Sequence, residues 1–359
     1  MRLLHVALKY DYGIRERGLS FEHHTFYDAL VNIGHDVLYF DIGELHQKYG
    51  FEKMNRRLAE VVRAEKPDLI FCVLFRYLDQ DTMRAISNSG NTVTLNWFCD
   101  DHYRFEDLSR GWAPCFNWVV TTSQIALPKY KRMGYRNVIK SQWACNHFLY
   151  RKIDLPLKYD VTFVGQPLAD RRSLIESLRV SGINATAWGA GWEAGRLSQD
   201  EMIRVFNQSR INLNLSSSIS ADKYYSRHRL LRLRRWIAKH MDRARTEYLT
   251  AIKGRNFEIP GCGGFMLSGD SENLRDYYDF GKEIAIYNNP DDLVRQVRYY
   301  LEHEDERAKI AQAGYERTMR EHTYAHRFSE IFTKIGLRSP TVEDILAGGV
   351  SAGETVEIQ

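Results

Sequence analysis

No apolar stretch of the chain approaches the ~20 residues needed to cross a bilayer. The richest, "PDLIFCVLF" at 67–75, has the length of one buried strand. The amino terminus "MRLLHVALKY" has too short an apolar run for a secretory leader and no small-residue cleavage site, so it reads as a first strand. Cysteine is scarce: Cys72, Cys99, Cys115, Cys145 and Cys262 are scattered, odd in number and include no C-x-x-C pair. That argues against a disulfide framework or a zinc ribbon, and for a reducing, cytoplasmic setting. Charge of one sign is scarce too. With 50 Lys and Arg against 46 Asp and Glu the formal net charge is +4, so whole-chain electrostatics do not force a polyanionic partner.

What remains is an ordinary globular composition, 44% hydrophobic and 27% charged, in a chain of 359 residues that suits two domains. The first half alternates. "RLLHVAL", "HDVLYFDI", "DLIFCVLF", "TVTLNWF" and "WVVTTS" read as strands. Between them lie amphipathic segments, among them "SFEHHTFYDALVNIG", a helix that starts at a Ser cap and stops at Gly34. The alternation restarts at "YDVTFVG" (159–165) and continues through "NATAWGAG", "RINLNLS", "FMLSG" and "EIAIY". Two such series predict an α/β chain with two Rossmann-like halves, each a parallel sheet covered on both faces. The expected boundaries are an N-terminal domain over 1–152, a C-terminal domain over 153–325, a helix over 326–340 and a mobile tail over 341–359, with 149–158 as linker.

One stretch, "AIKGRNFEIPGCGGFMLSGD" at 251–270, sets Lys253, Arg255 and Glu258 against a glycine turn. In open parallel sheets, ligands sit at the carboxyl ends of the strands, near helix N-termini. Gly261, Gly263 and Gly264 would let backbone approach a phosphate. Lys253 and Arg255 supply charge for a diphosphate, and Glu258, an acceptor only, suits ribose hydroxyls. The plainer alternative is that Glu258 neutralises Arg255 and the glycines merely turn the chain.

The segment "KGRNFEIPGCGGFML…GKEIAIYNNPDDLVRQVRYYLEHEDERAKIAQAGYERTMREHTYAHRF" resembles the C-terminal domain of GT-B glycosyltransferases, in the group-1-like branch that includes CgeB-type spore maturation proteins. With "YDVTFVGQPLADRR" and "AWGAGW" the resemblance covers roughly 155–330, and "NWFCDDHYRF" and "VVTTSQIALPKYKRMGYRNV" extend it loosely into the first half. The resemblance implies two Rossmann-like domains facing across a cleft, with C-terminal helices crossing back to the first. It implies sugar transfer from a UDP- or GDP-sugar, with retention, and with neither cofactor nor metal. By the same resemblance Glu258 holds the ribose, with Asn256 beside it, and Lys253 and Arg255 meet the diphosphate. Gly165 sits at a strand end, Arg171 or Arg172 lies near the phosphates, and Gly189, Gly191 and Trp192 lie near the base. Related enzymes often carry another glutamate eight positions before Glu258; here that position is Thr250.

Asp100, Asp101 and His102 follow a strand directly and are the catalytic candidates, for binding sugar hydroxyls or for taking the acceptor proton. The alternative is a helix-capping aspartate and a surface histidine. The loop "KYDYGIRERG" offers Tyr10, Asp11, Gly13 and Arg15 as acceptor or sugar contacts, or is plain solvent loop. His322 and His326 stand one turn apart with no third metal ligand in view. Positions 227–245 form a basic amphipathic helix, suited either to an anionic membrane face or to packing on the protein with its arginines hydrated. The leading expectation is thus a cytoplasmic glycosyltransferase, peripheral at the inner membrane face if that helix docks there, acting on a glycan, lipid-linked or protein acceptor. The alternatives are a catalytically inactive nucleotide- or sugar-binding protein and, more remotely, a nucleic-acid binder; without an aromatic-rich RNA motif, no nucleic-acid partner is expected.

Overall fold

The computed structural model describes residues 1–73, 77–168, 170–216 and 250–358; the basic segment 227–245 lies outside them. Its strands are β1 (Arg2–Ala7), β2 (Asp36–Asp41), β3 (Leu69–Cys72), β4 (Val93–Phe98), β5 (Trp118–Thr121), β6 (Val138–Lys140), β7 (Tyr159–Val164), β8 (Ala185–Trp188), β9 (Ser209–Asn214), β10 (Met266–Gly269), β11 (Ala285–Tyr287) and β12 (Thr355–Glu357). The chain divides into two compact units, one of Met1–Tyr150 with Glu321–Gln359 and one of Arg151–Arg320.

In the first unit seven parallel strands lie in the order β12-β2-β1-β3-β4-β5-β6. Parallel strands need helical crossovers, which cover both faces, and the central strands are accordingly buried: β3 is Leu-Ile-Phe-Cys and wholly buried. The amphipathic segment after β1 begins where the Ser20 hydroxyl accepts the His23 N–H at 3.1 Å, and Gly34 closes it with φ 95°. Helix Ile42–Glu65 starts on Asp41, whose carboxylate accepts the Gly43 N–H at 2.9 Å. The second unit holds five parallel strands in the order β11-β10-β9-β7-β8, around a core that includes Val161, Phe163, Ile211, Leu213 and Leu267. In each sheet the order reverses beside the first strand, between β1 and β3 and between β7 and β9. A crevice opens at such a point, at the strands' carboxyl ends.

The C-terminal segment departs from expectation. The helix expected over 326–340 is Tyr324–Lys334, capped by Thr323, and a separate helix, Glu304–Glu321, precedes it. The tail expected to be mobile folds onto the first sheet. After helix Val342–Leu346, β12 pairs in parallel with the β2 edge: Val37 N–H donates to the Glu354 carbonyl at 2.8 Å and Ile358 N–H to the Tyr39 carbonyl at 2.9 Å. An open edge strand offers a row of unpaired backbone groups, and few apolar residues suffice to bind a segment that satisfies them. Composition alone understates such a docking.

The first unit also buries neutral imidazoles. Burial, then repulsion from His23, lowers the His5 pKa to about 3. Burial lowers His23, His35 and His147 to about 4, helped by His24, the N-terminal ammonium and His326 respectively. These groups take up protons near pH 6.5 only when unfolded. Stability they contribute is therefore complete above that pH and lost as pH falls through the window down to about 4. Asp41, Asp101 and Glu22, whose pKa values burial raises, act in the opposite sense in the lower part of that window. At fixed ionic strength the melting temperature should fall steadily from pH 6.5 to 5; a flat or rising profile there would contradict these burials.

Candidate functional site

At the carboxyl end of the second sheet, Gly165 follows β7, Ser216 follows β9, and helix Arg255–Gly261 begins. This helix precedes β10 and runs antiparallel to it, so its first residues lie at the strands' carboxyl ends. Asn256, fully buried, fixes that start: its amide oxygen accepts the Lys253 N–H at 2.8 Å and its nitrogen reaches the Ser268 hydroxyl at 3.4 Å. Ser268 also accepts from Asn214 of β9 at 3.0 Å, which ties helix, β9 and β10 together.

Arg171 opens helix Arg171–Val180 and is only 8% exposed. One of its terminal nitrogens donates to the Gln166 carbonyl at 3.2 Å, and its guanidinium lies over the Phe163 ring at 5.6 Å. Burial, then the nearby charge of Arg255, lowers its pKa to about 10, while Asp170 and Tyr287 oppose the shift. The Nε groups of both Arg171 and Arg255 are buried with no hydrogen-bond partner among the described residues. Two cations are held close with donors unspent, an arrangement that an anion relieves. Tyr287 and Ser216 stand beside it: a Cβ on Gly269 would lie 2.6 Å from the Ser216 hydroxyl and 3.1 Å from that of Tyr287.

Arg172, Gly189, Gly191 and Trp192 form a brace around Gly165. The indole N–H of Trp192 donates to the Gly165 carbonyl at 2.7 Å, and Arg172 donates to the Gly191 carbonyl at 2.8 Å while stacking on Trp192 at 5.0 Å. Gly189 has φ 137°, and a Cβ there would lie 2.4 Å from the Gly165 carbonyl oxygen. The polar groups of Trp192 are thus spent on holding the strand end.

The glycine turn is a correction. Gly261, Gly263 and Gly264 stand at the carboxyl end of helix Arg255–Gly261, away from its cationic start. Gly263, with φ 72°, donates to the Pro260 carbonyl at 2.8 Å and Gly264 to the Ile259 carbonyl at 3.0 Å, a Schellman stop. A Cβ on Gly264 would meet Asn212 and the Phe206 carbonyl within 2.9 Å, so these glycines end the helix and seat it on the sheet. Carbonyls and the negative end of the helix dipole face that turn, which disfavours phosphate. Glu258, one turn into the helix, is 2% exposed.

In the first unit Asp100, Asp101 and His102 follow β4, at its carboxyl end. Asp101 is fully buried and accepts from the hydroxyls of Ser109, Thr121 and Tyr130, the last at 2.8 Å. Burial raises its pKa against those three bonds. Its oxygens are occupied by the fold, which removes it from the residues that touch substrate. His102 is 7% exposed against Tyr103, and Asp100 is half-buried. Asp100 shares its surroundings with the loop after β1. Tyr12, 57% exposed with φ 55°, has its pKa raised by burial, then by Asp11 and Asp100. Glu22 is raised by burial, with Asp11 and Asp100 adding to the shift. Arg15 points elsewhere: it pairs with Glu44 and stacks on Tyr10 at 5.0 Å, while Gly13 makes the turn with φ 73°. The two histidines one turn apart are also committed, His322 facing the Arg327 guanidinium at 3.3 Å and His326 accepting from the Thr323 hydroxyl at 2.8 Å.

Residues 171–333 match the family described as glycosyl transferase-like. The chain has the GT-B fold, and over those residues it resembles that family. It is similar to spore protein CgeB of Bacillus subtilis, at 22% identity over 272 residues, 73% of this chain and 81% of that one. Its fold is similar to that of Anabaena HepE, solved in complex with UDP and glucose, at a TM-score of 0.60 and 11% identity over 94% of this chain and 99% of that one. It is also similar to sucrose-phosphate synthase from Thermosynechococcus elongatus, at a TM-score of 0.58 and 9% identity over 94% and 97% of the two chains. Among the described residues no helix is long and apolar enough to cross a membrane.

In this GT-B fold the sequence reading missed Ser216, Tyr287, Tyr12 and Glu22. The first two were within reach, since each stands where an apolar strand ends. Tyr12 and Glu22 carried no signal of their own; only folding sets them beside Asp100.

Proposed function

We propose that the chain transfers a glycosyl group from a UDP- or GDP-sugar to a hydroxyl-bearing acceptor, a glycan, a lipid-linked sugar or a protein, on the cytoplasmic side. The neighbouring guanidinium groups of buried Arg171 and half-buried Arg255, each with a buried Nε that has no hydrogen-bond partner among the described residues, carry this reading. Arg171 and Arg255 receive the diphosphate, Lys253 adds charge, and Glu258 holds the ribose as its resemblance to the family's donor glutamate implies. As the glycosidic bond breaks, negative charge grows on the departing nucleoside diphosphate. Fixed cations stabilise that charge more in the transition state than in the bound donor, and so lower the barrier without a required metal. In the same reading Asp100 and Glu22 orient the acceptor hydroxyl. Retention of anomeric configuration belongs to the same reading and is checked by the stereochemistry of the product.

A screen of nucleotides and nucleotide sugars tests it. A donor nucleotide at a hundredfold excess over its Kd should raise the melting temperature by about 5–10 °C, because about 2.7 kcal/mol of binding energy then favours the native state. Sugar transfer should persist in EDTA. A shift without sugar release from any donor, whatever the acceptor, would favour the inactive binding protein that Thr250 in place of glutamate suggests; no shift with any nucleotide would end both readings.

A further inference from the structure

The first unit carries a second cationic recess that the proposed transfer does not use. It has a volume of about 200 Å³ and is lined by Phe105, Glu106, Arg110, Lys129, Arg132 and Met133. Phe105 and Met133 are its apolar part. Phe105 is 3% exposed and packs edge-on against Tyr130 at 4.9 Å, and Tyr130 in turn donates to Asp101. The buried carboxylate network therefore holds one wall of the recess rigid.

Three cations line the recess. Lys129 lies 5.2 Å above the Phe105 ring, and Arg132 follows it one turn later on the same helix, Leu127–Arg132. Like charges at that spacing repel, and among the described residues neither has a carboxylate partner. Arg110 is only partly neutralised, by Glu106 at 3.3 Å. The negative carboxyl end of the short helix favours basic residues there, but it does not require a recess beneath them.

We propose that this recess binds a phosphate group carried on a small or partly apolar molecule. Lys129 and Arg132 take the phosphate oxygens, Arg110 offers its remaining N–H groups, and Phe105 with Met133 receives the attached group. Such a phosphate belongs either to a soluble metabolite or to a lipid headgroup; the chemistry at the recess is the same for both.

The test uses full-length protein labelled with ¹³C at the methionine methyls, the Met133 signal being assigned with Met133→Leu. Inorganic phosphate, titrated against chloride at matched ionic strength, should move the Met133 methyl saturably. The Lys129→Gln/Arg132→Gln double variant should weaken that response at least about tenfold. Arg171→Gln should leave it intact, which separates this recess from the proposed donor site. Co-sedimentation with phosphatidylglycerol vesicles, lost in the double variant and absent with phosphatidylcholine, would assign the phosphate to a lipid; no sedimentation beside a saturable methyl shift would assign it to a soluble ligand. A Met133 methyl that stays still, or moves equally in the double variant, overturns the proposal.

Discussion

Arg171→Gln is expected to reduce glycosyl transfer by about 10²–10³-fold, the usual consequence of removing one fixed donor from developing negative charge. The same substitution should leave the ligand-free protein as stable as before, or more so. Arg171 is a cation that burial and Arg255 both disfavour, so its pKa is lowered to about 10. Replacing it with a neutral amide removes that repulsion and keeps a donor for the Gln166 carbonyl. The thermal shift caused by a nucleoside diphosphate should nevertheless shrink, because the anion then meets one guanidinium in place of two. This combination, an unchanged or higher melting temperature together with a lost response to nucleotide, is one that a merely structural arginine cannot give. Transfer within a few-fold of the parent would remove Arg171 from the donor site.

Asp101→Ala should cost about 3 kcal/mol or more of stability, because it strands three buried hydroxyls at once. Ser109, Thr121 and Tyr130 all donate to this carboxylate from different segments around β5. Asp101→Asn should behave differently. Burial already disfavours the ionised carboxylate, as the direction of its pKa shift shows. A neutral amide retains one acceptor oxygen, and hydroxyls can turn to accept from its nitrogen. The Asn variant should therefore stay within about 1 kcal/mol of the parent in urea unfolding and keep its transfer activity per folded molecule. An Asn variant that is stable yet inactive would return Asp101 to the catalytic candidates.

These two residues show how far reading strand ends could reach. Arg171 stood in "FVGQPLADRR", and its place near the phosphates, left open there between it and Arg172, was what the resemblance to GT-B glycosyltransferases implied. Asp101 stood equally close to a strand end, yet folding turned it inward, while Asp100 stayed half-buried. Adjacent residues at a strand-to-helix turn point in different directions, and one sequence position decides which carboxylate is spent on hydroxyls and which remains near the loop. The glycine turn failed for a related reason. "PGCGGF" has the composition of a phosphate loop and equally that of a helix stop followed by a close-packed strand. Only the direction of the chain through the sheet tells them apart.

The sequence by itself determined the alternation of strands and helices, the restart near 159 and so the two parallel sheets, because burial on both faces writes a local apolar pattern. It also determined which short segments hold the cations. Tertiary structure alone decided that Arg171 and Arg255 share one place, that Asp101 is consumed by three hydroxyls, and that the tail completes the first sheet as β12. Those outcomes depend on contacts between segments tens to hundreds of residues apart, and neither helical nor strand periodicity encodes such distances.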